Sequence, residues 1–220
     1  NFVEVALNSG GESQTLVADY ALVATGVQPN SDNLGLAELG VSTEKGWIKV
    51  DEHFRTNIPN VYAIGDVIGN PCLAHVASAE GKHAVEFIAG KNPAPVNYAA
   101  IPSCVYCQPQ VASVGLTEKR ASELGYELKI GRFMFRANGK AVASSESDGF
   151  VKVIFDGKTQ KPIGAHIIGT EATELLPELV LAIDHGLTYD ELKDSIHAHP
   201  TLSEALIEAI HDAFGESVHQ

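Results

Sequence analysis

The sequence predicts an α+β fold, and three observations carry that prediction. Four short runs rich in β-branched and aromatic residues read as strands: Val111–Val114, Leu128–Phe135, Phe150–Phe155 and Gly164–Ile168. The pair Asp156-Gly157 gives a turn directly after the third of them. Helical stretches then follow at about Thr170–His185, Tyr189–Ile196 and Thr201–Phe214. A shorter helix, about Thr117–Leu124, ends at Gly125, a residue suited to close a helix in the left-handed conformation.

Upstream the elements are fewer. Val17 to Thr25 is a strand-like run ending in Ala24-Thr25-Gly26. Residues 31–98 form a central region with a Gly46–Val50 strand and a short apolar strand, Val61–Ile64, that ends in Gly65-Asp66. One helix runs from about Val76 to Ala89, and Gly90-Lys91-Asn92-Pro93-Ala94-Pro95 reads as a boundary linker. The chain therefore divides into residues 1–30, 31–98 and 99–220, the last being the α+β domain. There are no repeats or low-complexity segments.

Composition excludes several function classes. Hydrophobic residues make up 45% of the 220, enough for a substantial core. No apolar run approaches the roughly 20 residues needed to span a bilayer. A formal net charge of −13 argues against phosphate-backbone partners, so a nucleic-acid role is not expected.

The most informative segment is Ile196-His197-Ala198-His199-Pro200-Thr201-Leu202-Ser203-Glu204-Ala205. Proline restricts the residue before it to extended conformations, which places His199 on a stiff, non-helical turn. Glu204 falls in the first turn of the next helix, where it can fold back. A carboxylate accepting a bond from one imidazole nitrogen fixes the tautomer and aims the other nitrogen outward, as a proton carrier requires. Thr201 and Glu204 also have the spacing of a capping box, in which Pro200 only punctuates the helix start and His199 is a loop histidine. Spacing alone favours the capping-box reading, because such boxes are common and general bases are rare.

The string HAHPTLSEA resembles the C-terminal signature of the dihydrolipoamide dehydrogenase family of flavoprotein disulfide oxidoreductases. The resemblance implies that His199 is the catalytic acid–base and that Glu204 orients it. Thr56-Asn57-Ile58-Pro59-Asn60-Val61-Tyr62-Ala63-Ile64-Gly65-Asp66 is similar to the family's second flavin motif. By that likeness Gly65 allows close backbone approach, Asp66 binds the ribityl chain of FAD, and the backbone of Cys72-Leu73-Ala74-His75 lines the flavin. Ala24-Thr25-Gly26 resembles the turn at the end of the family's NAD domain, with Gly26 near the nicotinamide nucleotide. The family usually carries arginine after this glycine. Here it is Val27, which puts any contact made by that arginine in doubt.

The resemblance covers essentially all 220 residues and implies the end of a dinucleotide-binding domain, a central FAD-contacting region and an interface domain with an antiparallel sheet and flanking helices. It further implies FAD and NAD as cofactors and a homodimer in which His199 works in the partner subunit's active site. The implied partner is dihydrolipoamide carried by the acyltransferase of a 2-oxo acid dehydrogenase complex, in the cytoplasm or, in a eukaryote, the mitochondrial matrix. No GxGxxG turn occurs, and the family's cysteine pair separated by four residues is absent. Asn1 begins inside what looks like a strand of the NAD domain, so a C-terminal portion of a longer chain is expected.

The cysteines are Cys72, Cys104 and Cys107. The Cys104–Cys107 spacing invites a redox or zinc reading. Ile101 to Val114 reads as extended, however, and residues three apart on a strand point to opposite faces. Both are expected to be reduced, part-buried thiols. His197 sits two residues from His199, but no carboxylate or cysteine nearby in sequence completes a metal shell, and no metal is expected. His185, before Gly186, suits a helix end. Two rival readings remain: another disulfide reductase, of the glutathione or mercuric type, and a non-catalytic dimerisation module.

Overall fold

The structure, a computed structural model, describes residues 2–69 and 71–219. The chain divides into two compact units, Asn1–Pro95 and Val96–Gln220.

In the first unit β1 (Val3–Ser9) and β2 (Glu12–Ala18) form an antiparallel hairpin closed by Gly10-Gly11, both at positive φ. The expected strand over Val17–Thr25 does not form, since β2 stops at Ala18. Tyr20, Leu22 and Val23 are 90%, 92% and 81% exposed. Among the described residues no strand pairs with the run beyond Ala18, and an apolar run stays a strand only where a neighbour takes its backbone N–H and C=O groups.

After α1 (Leu36–Leu39) comes a two-residue hairpin, β3 (Thr43–Glu44) and β4 (Trp47–Ile48). Its turn, Lys45-Gly46, has both φ angles positive, which matches the twist of the strands. Gly46 is also required sterically, because a Cβ there would lie 2.9 Å from Pro29 Cγ. The expected Gly46–Val50 strand is thus cut to two residues. Val61–Ile64 is not a strand either: only Tyr62 bridges to Arg55, and the chain then turns through a single 3-10 segment, Gly65–Ile68. Ala63 instead joins Val41 and Ile48 in a small core. The expected helix is present as α2 (Ala74–Ile88), whose buried residues Val76, Glu80, His83 and Ala84 follow the helical period.

The second unit is a five-stranded antiparallel sheet with helices over one face. Its strands are β5 (Ser103–Val105), β6 (Gln110–Gly115), β7 (Leu128–Met134), β8 (Phe150–Asp156) and β9 (Lys161–Gly169), in the order β5-β6-β9-β8-β7. All four expected strands are there, each extended by a residue or more at one end or shortened by one. Register places Ala112, Ile167, Val151 and Phe133 in one row across the sheet, and Val114, Ala165, Val153 and Gly131 in the next. Those residues alternate with outward-facing ones, so the two rows make one apolar face.

Helix α3 (Glu118–Glu123) follows β6, capped by Thr117, whose hydroxyl accepts the Arg120 N–H at 3.1 Å. It closes at Gly125 (φ 80°), whose N–H and that of Tyr126 bond back to Ser122 and Ala121. Helix α4 (Gly139–Ala143) follows β7. Helix α5 (Ala172–Asp184) lies on β6 and β9, burying Leu176, Leu179 and Ala182. Helix α7 (Glu204–Asp212) lies on β7 and β8, burying Ala205, Leu206, Ala209 and Ile210. Between them α6 (Tyr189–Leu192) starts with a capping box from Thr188 and Glu191.

Two helices are shorter than expected. α6 ends at Leu192 rather than Ile196, and α7 begins at Glu204 rather than Thr201. The eleven residues between them, 193–203, belong to neither helix, and this stretch carries His199. Among the described residues no helix is long and apolar enough to cross a membrane.

Candidate functional site

His199 projects from that loop with its side chain 77% exposed, and its Nδ1 lies 2.8 Å from Glu204 Oε1. An ionised carboxylate only accepts, so Nδ1 donates to it, which leaves Nε2 as the nitrogen facing away from Glu204. The second oxygen, Glu204 Oε2, accepts the Thr201 N–H at 2.8 Å. One carboxylate therefore does both things the sequence left as alternatives. The capping box is only half formed, because the Thr201 hydroxyl donates to the Ala198 carbonyl at 2.7 Å instead of capping the helix. The Thr201 N–H, and next to it the His199 ring, hold the Glu204 carboxyl below the usual carboxylate range. It is thus ionised, and able to stabilise a protonated ring, throughout neutral pH.

His199 and Glu204 line a hollow of about 570 Å³ together with His197, Glu208, His211 and His219. Three of its groups were not legible in the sequence. Asn138, 3% exposed, donates from its amide to the Thr201 carbonyl at 3.0 Å while its Oδ1 caps α4 through the Ala141 N–H. His211 Nε2 donates to the Lys193 carbonyl at 2.9 Å. Glu208, 8% exposed, gathers the C-terminal tail: it accepts from Ser217 Oγ, from the Val218 and His219 N–H groups, and from His219 Nδ1 at 2.8 Å. Spacing offers no signal for any of these bonds. His197 has a carboxylate partner from far along the chain, since Glu178 of α5 lies 3.0 Å from its Nε2, and among the described residues no further ligand joins the pair.

Glu208 yields a pH prediction. Burial pushes its carboxyl up, but the bonds from His219, Ser217 and Val218 outweigh burial and leave it below the usual 4.5. A carboxylate depressed on folding stabilises the fold above its ordinary value, and that stabilisation is lost as pH falls through the lowered value. Glu208→Gln should therefore cost about 1–2 kcal/mol near neutrality, and the gap to the parent protein should close on acidification below about pH 4. Thermal denaturation of both proteins across that range checks this.

The remaining sequence-predicted residues lie in the first unit. Gly65 has φ 71°, donates its N–H to Glu80 Oε2 at 2.7 Å, and leaves only 3.0 Å between a would-be Cβ and Ala77 Cβ. Asp66 follows on the exposed side of the 3-10 segment. Cys72 Sγ meets the Gly69 carbonyl at 3.6 Å, and Leu73 is the N-cap of α2 with no side-chain cap. Ala74 and His75 are exposed on the first turn. The start of α2, where the N-cap Leu73 gives no side-chain cap, follows the exposed Asp66 and the positive-φ Gly65 by a few residues. Gly26, with φ 93°, sits on the exposed segment before α1.

Both thiols are free and Cys104 is part-buried, as expected; Cys107 departs from expectation in being exposed. Cys104 is half-buried on β5, with burial and then Glu174 pushing its thiol up. Cys107 is exposed, in the turn between β5 and β6 rather than on a strand, with Sγ 3.0 Å from the Pro109 carbonyl.

Two family patterns match this chain. That of the pyridine nucleotide-disulphide oxidoreductases covers residues 2–81, and that of their dimerisation domain covers residues 101–210, half of the chain. The chain belongs to this family. Curated relatives named dihydrolipoyl dehydrogenase include those of Rhizobium etli (50% identical over 94% of this chain), Chlorobaculum tepidum (52% over 93%) and Bacillus subtilis (46% over 99%). The chain spans 43%, 44% and 46% of those relatives, under half of each. Among solved structures, LpdA of Mycobacterium tuberculosis superposes with a TM-score of 0.84 at 26% identity, covering 94% of this chain and 47% of that one. RclA of Escherichia coli, an HOCl-induced flavoprotein disulfide reductase, gives 0.84 at 27%, with 94% and 48% covered. The fold is that of this family with its dimerisation domain, and the sheet and flanking helices of the second unit are that domain.

Proposed function

We propose that this chain is the C-terminal portion of an NAD-dependent dihydrolipoamide dehydrogenase, and that His199 is its acid–base. The observation that carries the reading is the His199–Glu204 pair. One nitrogen is pinned to a carboxylate at 2.8 Å on a ring otherwise 77% exposed, in a chain about half identical to enzymes of that name. His199 Nε2 removes a thiol proton from dihydrolipoamide. The thiolate attacks the enzyme disulfide, one S–S bond forms as another breaks, and the displaced sulfur leaves as thiolate. The second substrate thiol then attacks the substrate sulfur of the mixed disulfide: lipoamide's S–S bond forms, the bond to the enzyme cysteine breaks, and that cysteine leaves as a thiol carrying the second proton. Glu204 holds the ring in position and stabilises the imidazolium.

FAD, when bound, relays the electron pair from the reduced cysteines to NAD⁺. Of the residues here, Asp66 would accept bonds from the ribityl hydroxyls. Gly65 would admit the cofactor close to the backbone, Cys72-Leu73-Ala74-His75 would line the flavin at the α2 N-terminus, and Gly26 would lie by the nicotinamide nucleotide. The disulfide and the phosphate-binding glycine turns would come from the preceding part of the enzyme. The match to a dimerisation domain supports a homodimer, with the acyltransferase of a 2-oxo acid dehydrogenase complex as the source of dihydrolipoamide.

The test has two parts. The complete enzyme should oxidise dihydrolipoamide with NAD⁺ and reduce glutathione disulfide poorly; the reverse preference would replace this reading with a glutathione-type reductase. The 220-residue chain alone should be a dimer by light scattering and should show no dihydrolipoamide–NAD⁺ turnover even with FAD added, because no cysteine pair separated by four residues is present. Robust turnover by the chain alone would contradict the assignment of the missing machinery.

A further inference from the structure

The loop that carries His199 has no sheet ladder or helix to hold it. Besides Glu204, side chains from farther along the chain fasten it at three points among the described residues. His211 takes the Lys193 carbonyl at its start, the Asn138 amide takes the Thr201 carbonyl at its end, and His197 is gripped in the middle. The middle point lies closest in sequence to His199. The His197 side chain is 8% exposed although Ile196 before it is 98% exposed. Its Nε2 lies 3.0 and 3.3 Å from the two Glu178 oxygens, and its Nδ1 lies 3.1 Å from the Ser195 carbonyl.

Both ring nitrogens thus face oxygen. A carbonyl only accepts, so Nδ1 donates to Ser195, and Nε2 faces the Glu178 carboxylate. The ring can make both bonds only in one orientation. Glu178 is fixed in turn, since it follows Pro177 within α5, the helix packed on β6 and β9.

We propose that His197, held by Glu178, is a positioning residue for His199. The Glu178–His197 contact ties the turn Ala198-His199-Pro200 to α5, as Glu204 ties it to α7. The two carboxylates hold two rings two residues apart, from two different helices. Glu204 sets the tautomer of His199; Glu178 sets where its backbone sits. The proposal rests on His199 being the acid–base, and extends that role to a residue with no contact to substrate.

The test uses Glu178→Leu, which removes the acceptor, and Glu178→Gln, which keeps one. In the complete flavoenzyme Glu178→Leu should lower kcat with dihydrolipoamide roughly tenfold to a hundredfold, since small misplacements of a reacting group cost on that order. Oxidation of NADH by ferricyanide, which needs no thiol proton acceptor, should be unchanged. Glu178→Gln should recover dithiol turnover to within a few-fold. A parallel fall of both activities, or no fall in either, overturns the proposal. A readout independent of turnover is the ¹⁵N spectrum of the His199 ring in the 220-residue chain. A single Nδ1–H tautomer that becomes mixed in Glu178→Leu supports positioning, and an unchanged ring overturns it. If His199→Gln keeps full turnover, the acid–base reading fails instead, and the ring spectrum still reports whether Glu178 positions the turn.

Discussion

Replacing His199 by glutamine in the complete enzyme is expected to lower dihydrolipoamide–NAD⁺ turnover roughly a hundredfold to ten-thousandfold, the range typical of a lost general base. The amide of glutamine can still reach Glu204 but has no basic nitrogen to turn outward. The substrate thiol must then ionise unaided, and only the thiolate attacks a disulfide. FAD content should be unchanged, because His199 lies in the second unit and the proposed flavin-lining residues lie in the first. Steady-state kinetics with flavin quantified in each preparation checks both halves. Glu204→Gln should fall in the same direction by less. Its amide oxygen can still accept from Nδ1 or from the Thr201 N–H, but the negative charge that favours a protonated ring is gone.

Gly131→Ala should cause a large loss of stability. A Cβ on Gly131 would lie 1.8 Å from the Ala209 carbonyl oxygen and 2.6 Å from the Ala213 N, both in the backbone of the α7 segment. Neither atom belongs to a flexible side chain, so the helix must move off the sheet. Overpacking of this kind costs about 3 kcal/mol. Because α7 carries Glu204, dithiol turnover should fall as well. Chemical denaturation gives the first number and the assay the second. The same Ala change at Gly139, where a Cβ meets nothing within 4 Å, is the control and should be close to neutral.

The reasons why some features were legible in the sequence are local. The strands of the second unit could be read from their β-branched and aromatic runs, and the face buried against helices imprints alternation on Gln110–Gly115 and on Phe150–Val153. The His199–Glu204 pair could be read because both partners fall within five residues and a proline stiffens the turn between them. Elsewhere the deciding contact came from far along the chain. Glu178 is 19 residues from His197, and Asn138 is 63 from Thr201, so neither spacing announces a bond. The ends of α6 and α7 were misjudged for the same reason. The expected helices ran on through 193–196 and 201–203, but His211, His197 and Asn138 hold that backbone in another path. In the first unit the error ran the other way. Val17–Thr25 and Val61–Ile64 have strand composition, yet composition supplies no partner for the backbone, and of the two runs only Tyr62 makes a bridge beyond β2.

The most direct measurement is rapid mixing of the oxidised complete enzyme with dihydrolipoamide, and separately with NADH, for the parent protein and for His199→Gln. Reduction by the dithiol requires a group to take the thiol proton; reduction by hydride from NADH does not. If His199 with Glu204 is that group, the substitution slows reduction by dihydrolipoamide by two orders of magnitude or more and leaves reduction by NADH at the parent rate. Equal rates with dihydrolipoamide before and after the substitution would contradict the assignment, whatever the steady-state turnover.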